Sequence, residues 1–99
     1  MSQENVFTPA YGKGITVAPT ASSATSEVGD GYKQLCLTNL GSVVCYIRPV
    51  TSSGDATTAD YPILPNVQTV ITKDKYSDKV SYITSSGTGS LHIIAGDGF

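Results

Sequence analysis

The residue types that most often carry chemistry are sparse and scattered in this chain. His92 is the sole histidine, and it sits between Leu91 and Ile93 in an alternating stretch. A histidine-based triad or a metal site needs partners in fixed geometry, and the spacing supplies none; a structural or surface histidine is expected. Cys36 and Cys45 lack CxxC spacing, and two cysteines with one histidine fall short of the four ligands of a structural zinc site. The acids Glu4, Glu27, Asp30, Asp55, Asp60, Asp74, Asp78 and Asp97 form no DxDxDG calcium loop. Asp74 and Asp78 stand among lysines and read as solvated charge, and nothing in the pattern supports a paired-carboxylate hydrolase. Gly12-Lys13-Gly14 and Gly29-Asp30-Gly31 are turn glycines, without the continuation of a dinucleotide fingerprint or a P-loop. The expectation is a protein that is not an enzyme, with no catalytic residue, no metal ligands and no cofactor.

The elements that would position any site are strands. Short runs alternate apolar and polar residues from Gly14 to the C-terminus, broken by Gly, Ser, Thr, Asn, Asp and Pro. Strands are expected over 15–17, 32–38, 43–50, 67–72, 79–84 and 90–95, with a short extended piece at 61–65. No segment sustains a helical apolar period. About seven short strands at regular spacing predict an all-β fold: one antiparallel β-sandwich, either jelly-roll or immunoglobulin-like, over 14–99. Residues 1–13 do not alternate and read as an extended N-terminal arm that packs on its own domain or on a neighbour. The segment 20–31 reads as a loop, and 73–78 as a charged connection around Tyr76.

Register can be argued for one hairpin. With Leu40 and Gly41 at its tip, residue 37 pairs with 44 and 35 with 46. One face then carries Leu35, Leu37, Val44 and Tyr46 and faces the core. The other places Cys36 opposite Cys45, close enough for a cross-strand disulfide. Free thiols are the favoured state, because residues 1–5 lack the basic and apolar regions of a signal peptide and point to synthesis in a reducing cytoplasm.

Composition excludes further classes. The 99 residues make one domain, 39% hydrophobic and 14% charged, with mean hydropathy −0.01. Ser and Thr fill about a quarter of the chain. The net charge is −2, and the six Lys and Arg are dispersed, so the clustered positive footprint of a nucleic-acid binder is missing. No apolar run approaches the ~20 residues of a membrane span, and no membrane partner is expected.

Of the six tyrosines, Tyr46 and Tyr82 fall on apolar faces and read as core. Tyr11, Tyr61 and Tyr76 fall in loops or the arm and, with Phe7, are the candidate interface residues. Their aromatic rings also suit a carbohydrate- or host-surface-binding module, although no Trp accompanies them.

Three stretches resemble a family of small tailed-bacteriophage virion proteins. They are Cys36-Leu-Thr-Asn-Leu-Gly-Ser-Val-Val-Cys-Tyr-Ile-Arg48, Tyr61-Pro-Ile-Leu-Pro65 and Thr84-Ser-Ser-Gly-Thr-Gly-Ser-Leu-His-Ile-Ile-Ala-Gly-Asp-Gly-Phe99. The likeness covers roughly residues 32–99 and rests on turn and strand motifs; it assigns no role to the cysteines and carries no catalytic residue. It implies a β-sandwich on the virion capsid surface, made in the host cytoplasm: a head decoration (cement) protein. The major capsid protein would be its partner, and the chain would be a homo-oligomer on the particle. A neck, tail or fibre-associated β-domain is the alternative within the virion.

Overall fold

The computed structural model describes residues 8–28, 31–51, 54–73 and 77–97. Within them lie nine strands: β1 (Thr8–Pro9), β2 (Ile15–Val17), β3 (Ala24–Glu27), β4 (Gln34–Asn39), β5 (Cys45–Val50), β6 (Tyr61–Ile63), β7 (Gln68–Thr72), β8 (Lys79–Thr84) and β9 (Leu91–Asp97). They form two antiparallel sheets. One runs β1-β9-β4-β7, with β2 also on β9; the other runs β3-β8-β5-β6. Strand β1 pairs with Gly96 and Asp97 while β2 pairs with Leu91 to Ile93, so the two share one edge of β9.

The pairs β2·β9, β3·β8, β4·β7 and β5·β6 are those of one long hairpin, with its apex between β5 and β6. Rolling that hairpin up adds the β4·β9 and β5·β8 contacts and splits it into two sheets. This connectivity is a jelly roll, which decides between the two sandwich topologies that the strand pattern left open.

The core lies between the sheets and follows the period-two pattern. Leu35, Leu37, Leu91, Ile93 and Ala95 enter it from one sheet; Cys45, Ile47, Ile63, Val80 and Tyr82 enter from the other.

The proposed hairpin between β4 and β5 does not form. Strand β4 pairs with β7 and β9, and β5 pairs with β6 and β8, so residues 40–44 cross from one sheet to the other. The inward parity of Leu35 and Leu37 stands, but that of β5 is reversed. Cys45 and Ile47 are buried in the core, while Tyr46 lies on the outer face opposite Ile83 and Pro62. Cys36 sits on the outer face of the five-stranded sheet between Val70 and Ile94. The two cysteines therefore lie in different sheets and are free thiols.

Two segments read as irregular hold more structure. Residues 24–27 form edge strand β3 within the expected 20–31 loop. Residues 54–60 fold back toward the outer face of the four-stranded sheet, where the Ala56 amide donates to Ser81 Oγ at 2.9 Å. Pro49 is accommodated as its chemistry requires: β6 pairs only as far as Ile47, which leaves the β6 flank of β5 open at Pro49.

Candidate functional site: a charge-free loop end

Consecutive antiparallel strands put alternate connections at the same end of a sandwich. The connections 18–23, 40–44, 64–67 and 85–90 meet at one end and are tied together by backbone hydrogen bonds. Gly89 N donates to Pro19 O (2.8 Å), Leu40 N to Ser90 O (2.8 Å) and Asn39 N to Val67 O (3.0 Å). Together they hold 21 residues and not one Asp, Glu, Lys or Arg. Charges gather at the opposite end, where Glu27 pairs with Lys79, Lys33 N donates to Asp97 Oδ1 and Lys73 N donates to Lys33 O.

Asn39 builds the neutral end. It is 1% exposed, and its side chain is fully used: Nδ2 donates to Val43 O and Ile63 O, both at 2.8 Å, and Oδ1 accepts from Gly41 N at 2.9 Å. Its carbonyl accepts from Asn66 N at 3.0 Å. One buried amide thus fixes two connections at once. The turn 64–67 is of type II: Pro65 sets the second position, Asn66 takes φ 61° at the third, and Val67 N closes onto Leu64 O. Gly41 lies against the 85–90 connection so closely that a Cβ there would stand 2.9 Å from Ser90 N.

What this frame presents outward is aliphatic. Leu40 is 57% exposed, Leu64 54% and Val67 38%, three of the five large exposed hydrophobics among the described residues. Covering their exposed parts would contribute roughly 2–4 kcal/mol. An aliphatic patch without charge, on loops that need no further ordering, has the make-up of a protein-contact surface.

The residues singled out from sequence fall elsewhere. Tyr11 is exposed in the turn between β1 and β2; Tyr61 is exposed at the start of edge strand β6. The short 64–67 connection sets β6 beside β7, at the edge opposite β1 and β2, so the two tyrosines flank the sandwich rather than share a platform. Phe7 and Tyr76 lie outside the described residues. His92 is half-buried on the outer face, opposite Thr16 and Thr38. Burial pushes both thiols, Cys36 and Cys45, above their ordinary range, so they stay protonated and weakly nucleophilic. Among the described residues no three His, Cys, Asp or Glu cluster as metal ligands, and no helix is long and apolar enough to cross a membrane.

The strand pattern does not single out Leu40, Leu64 or Val67: it puts Leu40 at a hairpin tip, Leu64 in the extended piece 61–65 and Val67 at the start of the 67–72 strand, whereas the fold places all three in connections at one end. The signal was present: apolar residues beside Gly, Pro and Asn, in connections that alternate neutral and charged along the chain.

No family model matches this sequence, and no curated protein matches it. Among solved structures it is similar to the NLP-core of Drosophila, described in terms of pentamer formation and histone binding. The identity is 19% over 84% of this chain and 95% of that one, with a TM-score of 0.32. A likeness at that level carries no argument about this chain's fold or partners.

Proposed function

We propose that this chain is a non-enzymatic structural protein of a bacteriophage virion, a decoration (cement) protein that adds protein–protein contact to the coat lattice. The observation that carries the reading is the neutral, aliphatic, prefolded loop end, a surface suited to meeting protein. The resemblance of residues 32–99 to small virion proteins directs that general role to the particle. A jelly roll by itself directs nothing, since the same architecture hosts capsid, lectin and enzyme functions.

The test is add-back. Heads assembled without this chain should release DNA at a lower temperature than complete heads. Purified protein should bind them to saturation and restore the higher temperature. Failure to bind, or binding with no shift in the release temperature, contradicts a cementing role.

A further inference from the structure

We propose that the open edge of β7 is a docking site for an extended segment of another protein, which joins the five-stranded sheet as a further strand. The inference rests neither on the virion reading nor on the loop end.

Backbone parity defines what this edge offers. Asn39 N donates to Val67 O at 3.0 Å, and Lys73 N donates to Lys33 O at 2.7 Å. The odd-numbered residues from 67 to 73 thus turn their backbone groups toward β4. In an antiparallel pair the residues between them turn theirs the other way. Gln68, Val70 and Thr72 therefore direct N–H and C=O away from β4, to a side where no strand lies among the described residues. The Gln68 side chain does not close over them, because its Nε2 donates back to Thr38 Oγ1 at 3.0 Å.

The other sheet edges are defended. Strand β6 is three residues long and contains Pro62, β1 is two residues with Pro9, β2 is three residues, and β3 ends on the charged Glu27. Strand β7 runs for five residues, Gln68-Thr-Val-Ile-Thr72, without charge, proline or glycine. Its Thr, Val and Ile favour pairing, and it carries none of the usual devices against strand addition.

Tyr61 and Ile71 fix which occupant fits. Tyr61 pairs with Ile47 and shares the core side of β6 with Ile63, yet it is 48% exposed. It stands at the same edge of the sandwich as β7, with no described strand beyond β7 to cover it. An added strand would set alternate side chains level with Thr69 and Ile71, at the mouth between the sheets beside this ring. Strand β7 offers them no counter-charge, so they must be uncharged, and apolar ones gain most from burial. Side chains level with Gln68 and Thr72 face solvent and can be polar. A second copy does not fit, because Ile71 of its own β7 is already packed on its own core and leaves Tyr61 uncovered. The occupant is an arm without a core of its own, held by main-chain hydrogen bonds and alternating apolar with polar residues.

Amide hydrogen exchange, read residue by residue by NMR, tests this. In dilute solution the Gln68, Val70 and Thr72 amides should exchange at least about 10-fold faster than those of Thr69 and Ile71. A probe heptapeptide alternating Thr and Val is then fused after Phe99 of the full chain through a Gly/Ser linker of about 30 residues. The linker spans about 30 Å on average, enough to reach round a molecule of 38 × 30 × 25 Å, and it holds the probe at millimolar effective concentration. The Gln68, Val70 and Thr72 amides should then slow at least about 10-fold. They should stay fast when Pro replaces each Val of the probe. On a Val70→Pro chain, which loses a donor that the β4 ladder does not use, Gln68 and Thr72 should also stay fast; should that chain not fold, the proline probe decides alone. No slowing with the Thr-Val probe overturns the inference, as does equal slowing with the proline probe or slowing confined to another edge. Slow exchange of these amides in the dilute chain alone means the edge is already covered and overturns it too. Slowing that grows with the concentration of the unfused chain gives the edge to a second copy and overturns the arm.

Discussion

At the residue scale, Asn39 is the side chain on which the loop end depends most. Its amide satisfies two carbonyls and accepts from one N–H in a site almost closed to water. Asn39→Ala leaves all three partners short, and each buried unsatisfied group costs about 1–3 kcal/mol. The expected loss is about 2–4 kcal/mol, read as a fall in melting temperature of more than about 10 °C. Asn39→Asp should not rescue it, because an oxygen would replace Nδ2 against two carbonyl oxygens. The cysteines make a second prediction. Their thiols titrate higher in the folded chain than in the unfolded one, from an ordinary value of 9.0. They therefore add stability that is complete below that value and is lost as pH rises through the folded values. Denaturant melts should show stability falling above about pH 9. Replacing Cys36 and Cys45 with Ala should flatten that decline, whatever it costs in packing. Native protein should alkylate slowly and show no disulfide on non-reducing gels.

At the scale of elements, residues 54–60 form a strap that returns toward the outer face of the four-stranded sheet. Asp60 latches it: Oδ1 accepts from Arg48 Nε at 3.1 Å and Oδ2 from Thr57 N at 2.7 Å. Partial burial works to raise the Asp60 carboxyl, but the Thr57 amide, the Arg48 guanidinium and the Thr57 hydroxyl outweigh it and hold the group below its usual range. A depressed folded value means the latch is fully present above the unfolded value near 3.8 and is lost as pH falls through the folded one. The pair is partly solvated, so its contribution is about 1 kcal/mol or less. Asp60→Asn should remove that amount at pH 7 and abolish the acid-dependent loss, with faster hydrogen exchange at the Ala56 amide as the local readout. The strap also marks where strand patterning ran out. Ala56 and Val50 are buried beneath chemistry that reads as a small polar loop. Alternation located β4, β8 and β9 and put Leu35, Leu37 and Tyr82 on the core side, because each strand has one face on the core. It misassigned the partner of β5, because Asn-Leu-Gly-Ser reads equally as a hairpin turn and as a crossover. Only the competition of β7 and β9 for both edges of β4 decides between them, and that competition is long-range. The loop end was legible in part: its neutral composition is plain in the sequence, but that four connections share one end depends on the fold.

At the scale of the whole molecule, the sandwich is polarised, with charge at one end and aliphatic side chains at the other. Its edges are treated differently as well. Edge strand β6 carries Pro62, which removes a donor from the open side of the sheet or from its pairing with Tyr46. Together β1 and β2 cover the flank of β9, and Ala10 N extends that cover by donating to Ala95 O at 2.8 Å. A lattice protein benefits from such polarity, since weak contacts repeated at fixed positions sum over many copies. The measurement that tests this most directly is the copy number of the chain per purified particle, by quantitative mass spectrometry against the major coat protein. A ratio near one, or a simple fraction such as one third, is the expected result for a protein that repeats with the coat lattice. A ratio of a few per cent would move the chain to the neck or tail. Absence from the particle would contradict the virion assignment and return the tyrosine-bearing flanks to consideration as a host-surface-binding module.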